Sequence, residues 1–406
     1  MDFATRLAQL EQSPADPAFD SAEYALRAER LRRAMEAENL DMLLLSAPDA
    51  MCWVTGYTLR WYKAHGPSRW RPLGMVAVFR DDPRVLLIDG EEHAEVIRRT
   101  TDPAVDVRML PRDRRDEMLR FLVEQIASVA PVRRIGFELF SHTPSPAVFR
   151  ELEAALQRSG AEVVDATALI RGARRQKTPA EIACIERAAR ICDAGITHLA
   201  EHIEPGMTEL QVWAELERGL TNAGGEPAAL HEWAQRMEPR SARHSISGRK
   251  TIRKGDLVSV DPCGVYNRYH SNRTALLSLG APPDEFVERV EQLAGAYPVL
   301  REHARAGARV SDVSAALRDY YESVGLWQGR GNTWVGGYEL GLSFPPDWVG
   351  EWTFTVAEEH SDEVFLENSV TNFESHFDIA LYDTLVYEPG GARTLSRLPY
   401  EIITVR

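Results

Sequence analysis

The stretch Arg171-Gly172-Ala173-Arg174-Arg175-Gln176-Lys177-Thr178-Pro179-Ala180-Glu181 divides the chain into two halves of different character. Its first seven residues are polar and basic without apolar periodicity, which reads as a break between domains. Thr178 and Glu181 then stand at the spacing of a capping box, with Pro179 at the first helical position, where its missing N–H costs nothing. A long helix to about His202 is expected to begin here. The 406 residues are too many for one ordinary core and suit two domains, at a prior of roughly 150 residues each. The expected division is 1–170 and 171–406.

Before the break, helix and strand signals alternate. Ser21–Asn39 carries Tyr24, Leu26, Leu31 and Met35 at helical spacing, and the all-apolar run Met42–Leu45 comes next as a strand. Further strands are expected at Gly74–Phe79, Val85–Ile88, Ile135–Phe137 and Glu162–Val164. Helices are expected near Glu91–Arg99, Arg115–Val129 and Pro146–Ser159. This alternation predicts an α/β domain with a mixed sheet. The segment Trp61–Pro72 interrupts it with Trp, Arg and Pro, and reads equally as a surface excursion or a binding loop.

After the break, Thr208 and Gln211 open a second helix, Leu257–Leu279 is rich in strand signals, and helices are expected at about Asp284–Ala306 and Val310–Val324. Strand signals then reach the C-terminus, so this half is expected to be α+β. The net charge of −14 argues against a nucleic-acid backbone as partner. No apolar run approaches the roughly 20 residues of a membrane span, and the acidic N-terminus does not read as a secretion signal. Cys52, Cys184, Cys192 and Cys263 form no C-x-x-C pair; Cys184 and Cys192, eight apart on an expected helix, read as small buried hydrophobes, and a reducing cytoplasm fits.

Four motifs in order then carry a resemblance. They are Lys177–Glu181, Pro205-Gly206-Met207-Thr208-Glu209, Lys254-Gly255-Asp256-Leu257-Val258-Ser259-Val260-Asp261 and Tyr382-Asp383-Thr384-Leu385-Val386. Over about residues 170–406 the chain resembles the pita-bread family of creatinase, prolidase, aminopeptidase P and methionine aminopeptidase. Met51-Cys52-Trp53-Val54-Thr55-Gly56-Tyr57 is similar to the creatinase/prolidase N-terminal domain, which points to the two-domain branch. The resemblance implies a creatinase-type N-terminal domain, a C-terminal pita-bread domain and a homodimer.

In the family's hydrolytic members two Asp, one His and two Glu hold two divalent metals. Position by position, the resemblance places these at Asp261, Asn272, Tyr338, Glu374 and Tyr382. Asn is a poor ligand for transition metals and neutral Tyr a poorer one, so no metal or other cofactor is expected. The run Gly341-Leu342-Ser343-Phe344-Pro345-Pro346-Asp347-Trp348 looks most like the metal-free ectoine-hydrolase-like branch. His244 falls where creatinase keeps a proton-shuttling His. Creatinase's second catalytic Glu falls on Thr274, however, and the family's Arg-Thr pair on Ala275-Leu276, which sets its particular mechanism in doubt.

Two carboxylates close together without a metal repel and desolvate badly, and a flat organic cation relieves both costs. The expected site is therefore His244, Glu374 and Asp261 as catalytic groups. His244 serves as general acid/base, and Tyr338, Tyr382 and Asn272 serve as substrate contacts. His376 lies two residues after Glu374 and is open to a catalytic or a structural reading. His231 sits near the pocket or on a loop surface. Arg69, Arg71 and Arg60 in the N-terminal loop are candidates to meet a substrate carboxylate, and Trp61 of the same loop is a further substrate-binding candidate, read also as a core or dimer contact. The expected substrate is a cationic or zwitterionic small molecule, creatine-, ectoine- or guanidino-like, hydrolysed at a C–N bond. A lyase on the same scaffold, a non-enzymatic binding protein and an Xaa-Pro peptidase are the competing readings.

Overall fold

The computed structural model describes residues 1–6, 14–59, 74–230, 233–237, 246–327, 334–358 and 363–405. Arg60, Trp61, Arg69, Arg71, His231 and His244 lie outside the described residues. The chain divides into two compact units, Met1–Arg174 and Arg175–Arg406.

In the first unit six strands form one mixed sheet: β1 (Met42–Leu45), β2 (Met75–Phe79), β3 (Val85–Gly90), β4 (Asp106–Leu110), β5 (Arg134–Phe137) and β6 (Glu162–Asp165). Their order is β4-β3-β2-β1-β5-β6, with β1–β2 and β2–β3 antiparallel and the other neighbours parallel. Strict alternation sends Leu43, Leu45, Val76, Val78 and Leu87 into a core on one face. It sends Met42, Leu44, Met75, Ala77, Phe79, Leu86 and Ile88 into a core on the other. The mixed sheet of the sequence reading is therefore present.

Helices α1 (Ser21–Glu38), α2 (Pro48–Thr55), α3 (Ala94–Thr100), α4 (Met118–Ala127), α5 (Pro146–Arg158) and α6 (Thr167–Arg175) accompany it. Helix α6 corrects one expectation: much of the basic stretch read as an aperiodic break is helical. Leu169, Ile170 and Ala173 pack on the first core and hold it so, while the intervening arginines hide the pattern.

The second unit opens with α7 (Pro179–His202). Thr178 and Glu181 form the expected reciprocal capping box. Helix α8 (Glu209–Asn222) starts on a second such box between Thr208 and Gln211. The helix expected at Asp284–Ala306 is instead two, α9 (Asp284–Ala294) and α10 (Ala296–His303). Gly295 lies against the Tyr320 hydroxyl, and Pro298 cannot donate within a continuous helix. Helix α11 (Val310–Ser323) comes next.

The strands of this unit are β7 (Ala234–Arg236), β8 (Leu257–Val260), β9 (Cys263–Tyr266), β10 (Tyr269–Asn272), β11 (Ala275–Ser278), β12 (Trp334–Tyr338), β13 (Thr353–Thr355), β14 (Val370–His376), β15 (Ala380–Glu388), β16 (Gly391–Thr394) and β17 (Ile403–Thr404). They form a hairpin β9–β10, a four-stranded sheet β17-β11-β8-β7 and a five-stranded sheet β13-β12-β14-β15-β16.

The hairpin carries Asn272 at its end. Its two-residue turn, Asn267-Arg268, has φ of 50° and 65°, the left-handed pair that matches strand twist. Arg268 is an unusual residue there, and its guanidinium is held by the carbonyls of Ser343 and Pro227 and by Glu226. Tyr269 ties the hairpin to the start of α7 by donating to Glu181 at 3.0 Å.

Gly264 lets β9 press directly on the same helix, since a Cβ there would sit 1.9 Å from the Ala188 carbonyl oxygen. Gly264→Ala must therefore separate helix and hairpin, at a cost of about 1–3 kcal/mol or more for an overpacked core. Thermal unfolding should show a melting temperature lowered by several degrees or no soluble protein. An unchanged value would refute this packing.

Candidate active site

One face of the five-stranded sheet is assembled by register. On β14, Asn372, Glu374 and His376 are two apart and share a face. Across to β15, Glu374 pairs directly with Tyr382 and Asn372 with Thr384. On β12, Gly336 pairs with Glu374 and Trp334 with His376, and the adjoining bridge pairs Glu339 with Thr371. This register sets Tyr338 opposite Asn372, on the same face. Trp334, Tyr338, Glu374, His376 and Tyr382 therefore come together from three strands.

The opposing layer is the end of the hairpin. Asn272 is fully buried at the end of β10, and Asp261 lies between β8 and β9. Thr384 clamps this layer to the sheet. Its hydroxyl donates to the Asn272 carbonyl at 2.9 Å and accepts from the Asn272 N–H at 2.9 Å. The Ser271 hydroxyl joins at 3.0 Å, and the Tyr382 N–H donates to Thr274 Oγ1 at 2.8 Å.

Within this frame the polar groups have definite partners. Asn272 Nδ2 donates to Asp261 Oδ1 at 2.8 Å and to the Pro262 carbonyl at 3.2 Å. Asn372 Nδ2 donates to Glu374 Oε1 at 2.6 Å, and its Oδ1 accepts the Tyr338 N–H at 3.0 Å. His376 Nδ1 lies 2.6 Å from Tyr382 Oη, the two rings stacked at 5.7 Å. Tyr338 packs between two indoles, 6.2 Å from Trp334 and 5.6 Å from Trp348.

Burial governs the electrostatics. It pushes the Asp261 carboxyl up to about 6, against the hydrogen bond from Asn272. Tyr338 is held protonated well above its ordinary value by burial first, then by the charges of Glu374 and Asp261 and a hydrogen bond with Glu374. Both carboxylates thus bear on one phenol, which places them at one site. His270, on the same hairpin, is no candidate for proton transfer. Nδ1 bonds the Arg268 carbonyl at 2.9 Å, Nε2 accepts the Ala229 N–H at 3.0 Å, and burial lowers its pKa to about 3.

The structure brings together Asp261, Asn272, Tyr338, Glu374, Tyr382 and His376 of the residues expected from sequence. Asn372, Thr384 and Trp348 were missed. The two polar residues take their roles through cross-strand pairing that no local motif displays, although Asn372 flanks Glu374 at an interval that the strand period makes meaningful.

Sheet and hairpin residues do not fit a pair of divalent metals. Asn272 turns its NH2 group, a donor, toward Asp261 where a metal would need a lone pair, and Tyr338 keeps its proton. Among the described residues no group of three or more His, Cys, Asp or Glu side chains is arranged to hold a metal ion.

A pH dependence arises from Asp261. Its folded value of about 6 lies above the ordinary carboxyl value of 3.8, so the folded chain binds this proton more tightly than the unfolded one. Stability should therefore fall as pH rises between about 4 and 6, with buried Asp383, also raised to about 6, contributing in the same window. Asp261→Asn should stabilise the unliganded protein more at pH ~8 than at pH ~5. Melting temperatures of both proteins at both pH values test this, and an equal change at the two would contradict it.

Comparisons with known proteins accord with this architecture. Residues 27–176 match the creatinase/prolidase N-terminal domain and residues 183–394 match metallopeptidase family M24. An ectoine hydrolase of Halomonas elongata is 25% identical over 417 residues, covering 95% of this chain and 98% of that protein. An Xaa-Pro dipeptidase of Pyrococcus furiosus is 25% identical over 243 residues, covering 58% of this chain and 67% of that protein. Among solved structures, the X-Pro aminopeptidase of Thermotoga maritima superposes with a TM-score of 0.75 at 21% identity, covering 93% of this chain and 99% of that one, a likeness of fold. The creatinase-type N-terminal domain and the pita-bread architecture are thus both present, and the chain belongs to the M24 family.

Proposed function

We propose that this protein hydrolyses a C–N bond in a small cationic or zwitterionic molecule without a metal, in the manner implied by the name of its Halomonas relative rather than as a peptidase. The hydrogen bond from Asn272 to Asp261 carries the reading. It fills with an amide the space between two would-be ligands, and a substrate cation would face the carboxylates of Asp261 and Glu374. A guanidinium or amidinium group supplies a matching charge and several N–H donors.

Catalysis then uses this chain's own groups. His244 takes a proton from water as its oxygen bonds to the cationic carbon, forming a tetrahedral adduct. The same His gives that proton to the leaving nitrogen as the C–N bond breaks. Glu374 and Asp261 orient the cation, and the Tyr338 or Tyr382 hydroxyl stabilises the adduct. His376 positions Tyr382 through their hydrogen bond. Arg69, Arg71 and Trp61 of the N-terminal half are the proposed substrate-binding loop, and His231 a further contact. A cytoplasmic homodimer is the proposed setting. No helix of the described chain is long and apolar enough to cross a membrane.

The peptidase reading is favoured by the dipeptidase relatives and the shared fold, and it makes the opposite prediction. Chelator-treated protein should turn over a cyclic amidine or guanidino compound. Glu374→Gln and His244→Ala should each lower kcat by at least about 100-fold while leaving the melting temperature unchanged. Cleavage of an Xaa-Pro dipeptide on adding Mn²⁺, with no turnover of amidines, would overturn the proposal.

A further inference from the structure

A cavity of about 230 Å³ lies in the second unit, apart from the candidate active site. Its walls come from α7, α9, β11, the start of β15 and the segment 398–403, and they are largely apolar: Ala200, Leu276, Val290, Leu381, Leu398 and Ile403. Strand alternation places it on the reverse of the site. Tyr382 pairs with Glu374 on the site's face of β15, so Leu381 and Asp383 face the other way. Likewise Asn272 bonds Asp261, whereas Arg273 beside it turns to Asp383. Exposed Thr197 and Glu401 mark the open side of the cavity.

The buried wall of the cavity includes Arg273, a residue only 4% exposed. Nη1 donates to Asp383 at 3.2 Å and Nη2 to the Pro399 carbonyl at 2.8 Å, and the guanidinium lies 4.8 Å from the centre of the Tyr400 ring. Its Nε–H has no hydrogen-bond partner among the described residues. Pro399 and Tyr400, which hold the guanidinium, line the same cavity. Folded proteins pair nearly all buried donors, so an unpartnered one at a cavity wall points to an acceptor that enters the cavity.

Size and charge narrow what that acceptor belongs to. An apolar cavity of about 150 Å³ takes up benzene, so this one has room for a single ring with a short substituent. Asp383 already balances the guanidinium, and Glu401 stands on the wall. A ligand anion would meet both carboxylates, whereas a carbonyl oxygen accepts the N–H without that repulsion. We propose that the cavity is a second binding site, taking a compact apolar molecule whose neutral carbonyl oxygen accepts the Arg273 Nε–H. Nothing in this binding requires the hydrolase reading.

The test is titration of the full chain, followed by ligand-observed NMR, with acetophenone, with benzoate and with α-methylstyrene, which carries a CH2 group in place of the carbonyl oxygen. Wild type should bind acetophenone about tenfold more tightly than either of the others. Arg273→Lys, which keeps a cation for Asp383 and removes Nε, should lose the preference over α-methylstyrene. Ala200→Phe, which fills the cavity from α7 and leaves Arg273 in place, should weaken acetophenone binding by at least about tenfold.

Equal affinity of wild type for acetophenone and α-methylstyrene overturns the proposal, as does a preference kept in Arg273→Lys. Undiminished binding to Ala200→Phe overturns the location, and tighter binding of benzoate overturns the neutral class. Absence of binding by all three overturns the site itself and leaves water as the partner of the Nε–H. Should either variant not fold, the Arg273 Nε–H resonance of wild type decides. It should move with acetophenone and not with α-methylstyrene, and an unmoved resonance refutes the proposal.

Discussion

The 2.8 Å hydrogen bond from Asn272 to Asp261 is the contact on which the chemistry of this site depends. In an arrangement built for two metals, the two positions would present lone pairs to a shared dication. An amide in one of them presents N–H instead, and that N–H is bonded to the Asp261 carboxylate. The other positions obey the same logic. Tyr338 donates to Glu374 rather than accepting a metal, and Tyr382 pairs with His376. On the proposed function, a cationic ligand would face the two carboxylates, Asp261 and Glu374, in this arrangement.

That contact is only as good as the frame behind it. Asn272 is held by backbone bonds to the Thr384 hydroxyl, so the hairpin and the five-stranded sheet are pinned at the point where they share the site. The hairpin is in turn seated on α7 through Gly264 and the Tyr269–Glu181 bond. A small displacement of this helix would move Asn272 relative to Glu374. The capping box that starts α7 therefore connects to the site through Glu181, which also receives the Tyr269 hydroxyl. A buried ion pair between Lys177 and Glu339, next to Tyr338 in sequence, anchors the same corner.

Much of this was legible in the sequence, for identifiable reasons. Strands β1, β2 and β3 of the first unit carry apolar runs, whereas β4, Asp106-Val107-Arg108-Met109-Leu110, carries none and was not expected; both capping boxes are local patterns that need no partner to recognise. Asp261 was legible as the end of the Lys254–Asp261 motif, and Glu374 only through the position-by-position resemblance. The helix across Thr167–Arg175 was not, since its apolar residues are few and only the packed core shows them to be one stripe. Asn372, Thr384 and Trp348 were also hidden. Their importance comes from the register of three strands and from one ring lying on another, and these long-range facts leave no mark on residue spacing.

The measurement that bears most directly on this account is elemental analysis of protein purified without a metal-affinity tag, made on a preparation whose turnover is recorded in parallel. The account predicts less than about a tenth of an equivalent of any transition metal per chain in fully active protein. One or two tightly held equivalents, rising and falling with activity, would contradict it. Asn272 and Tyr338 would then be ligands rather than hydrogen-bond partners.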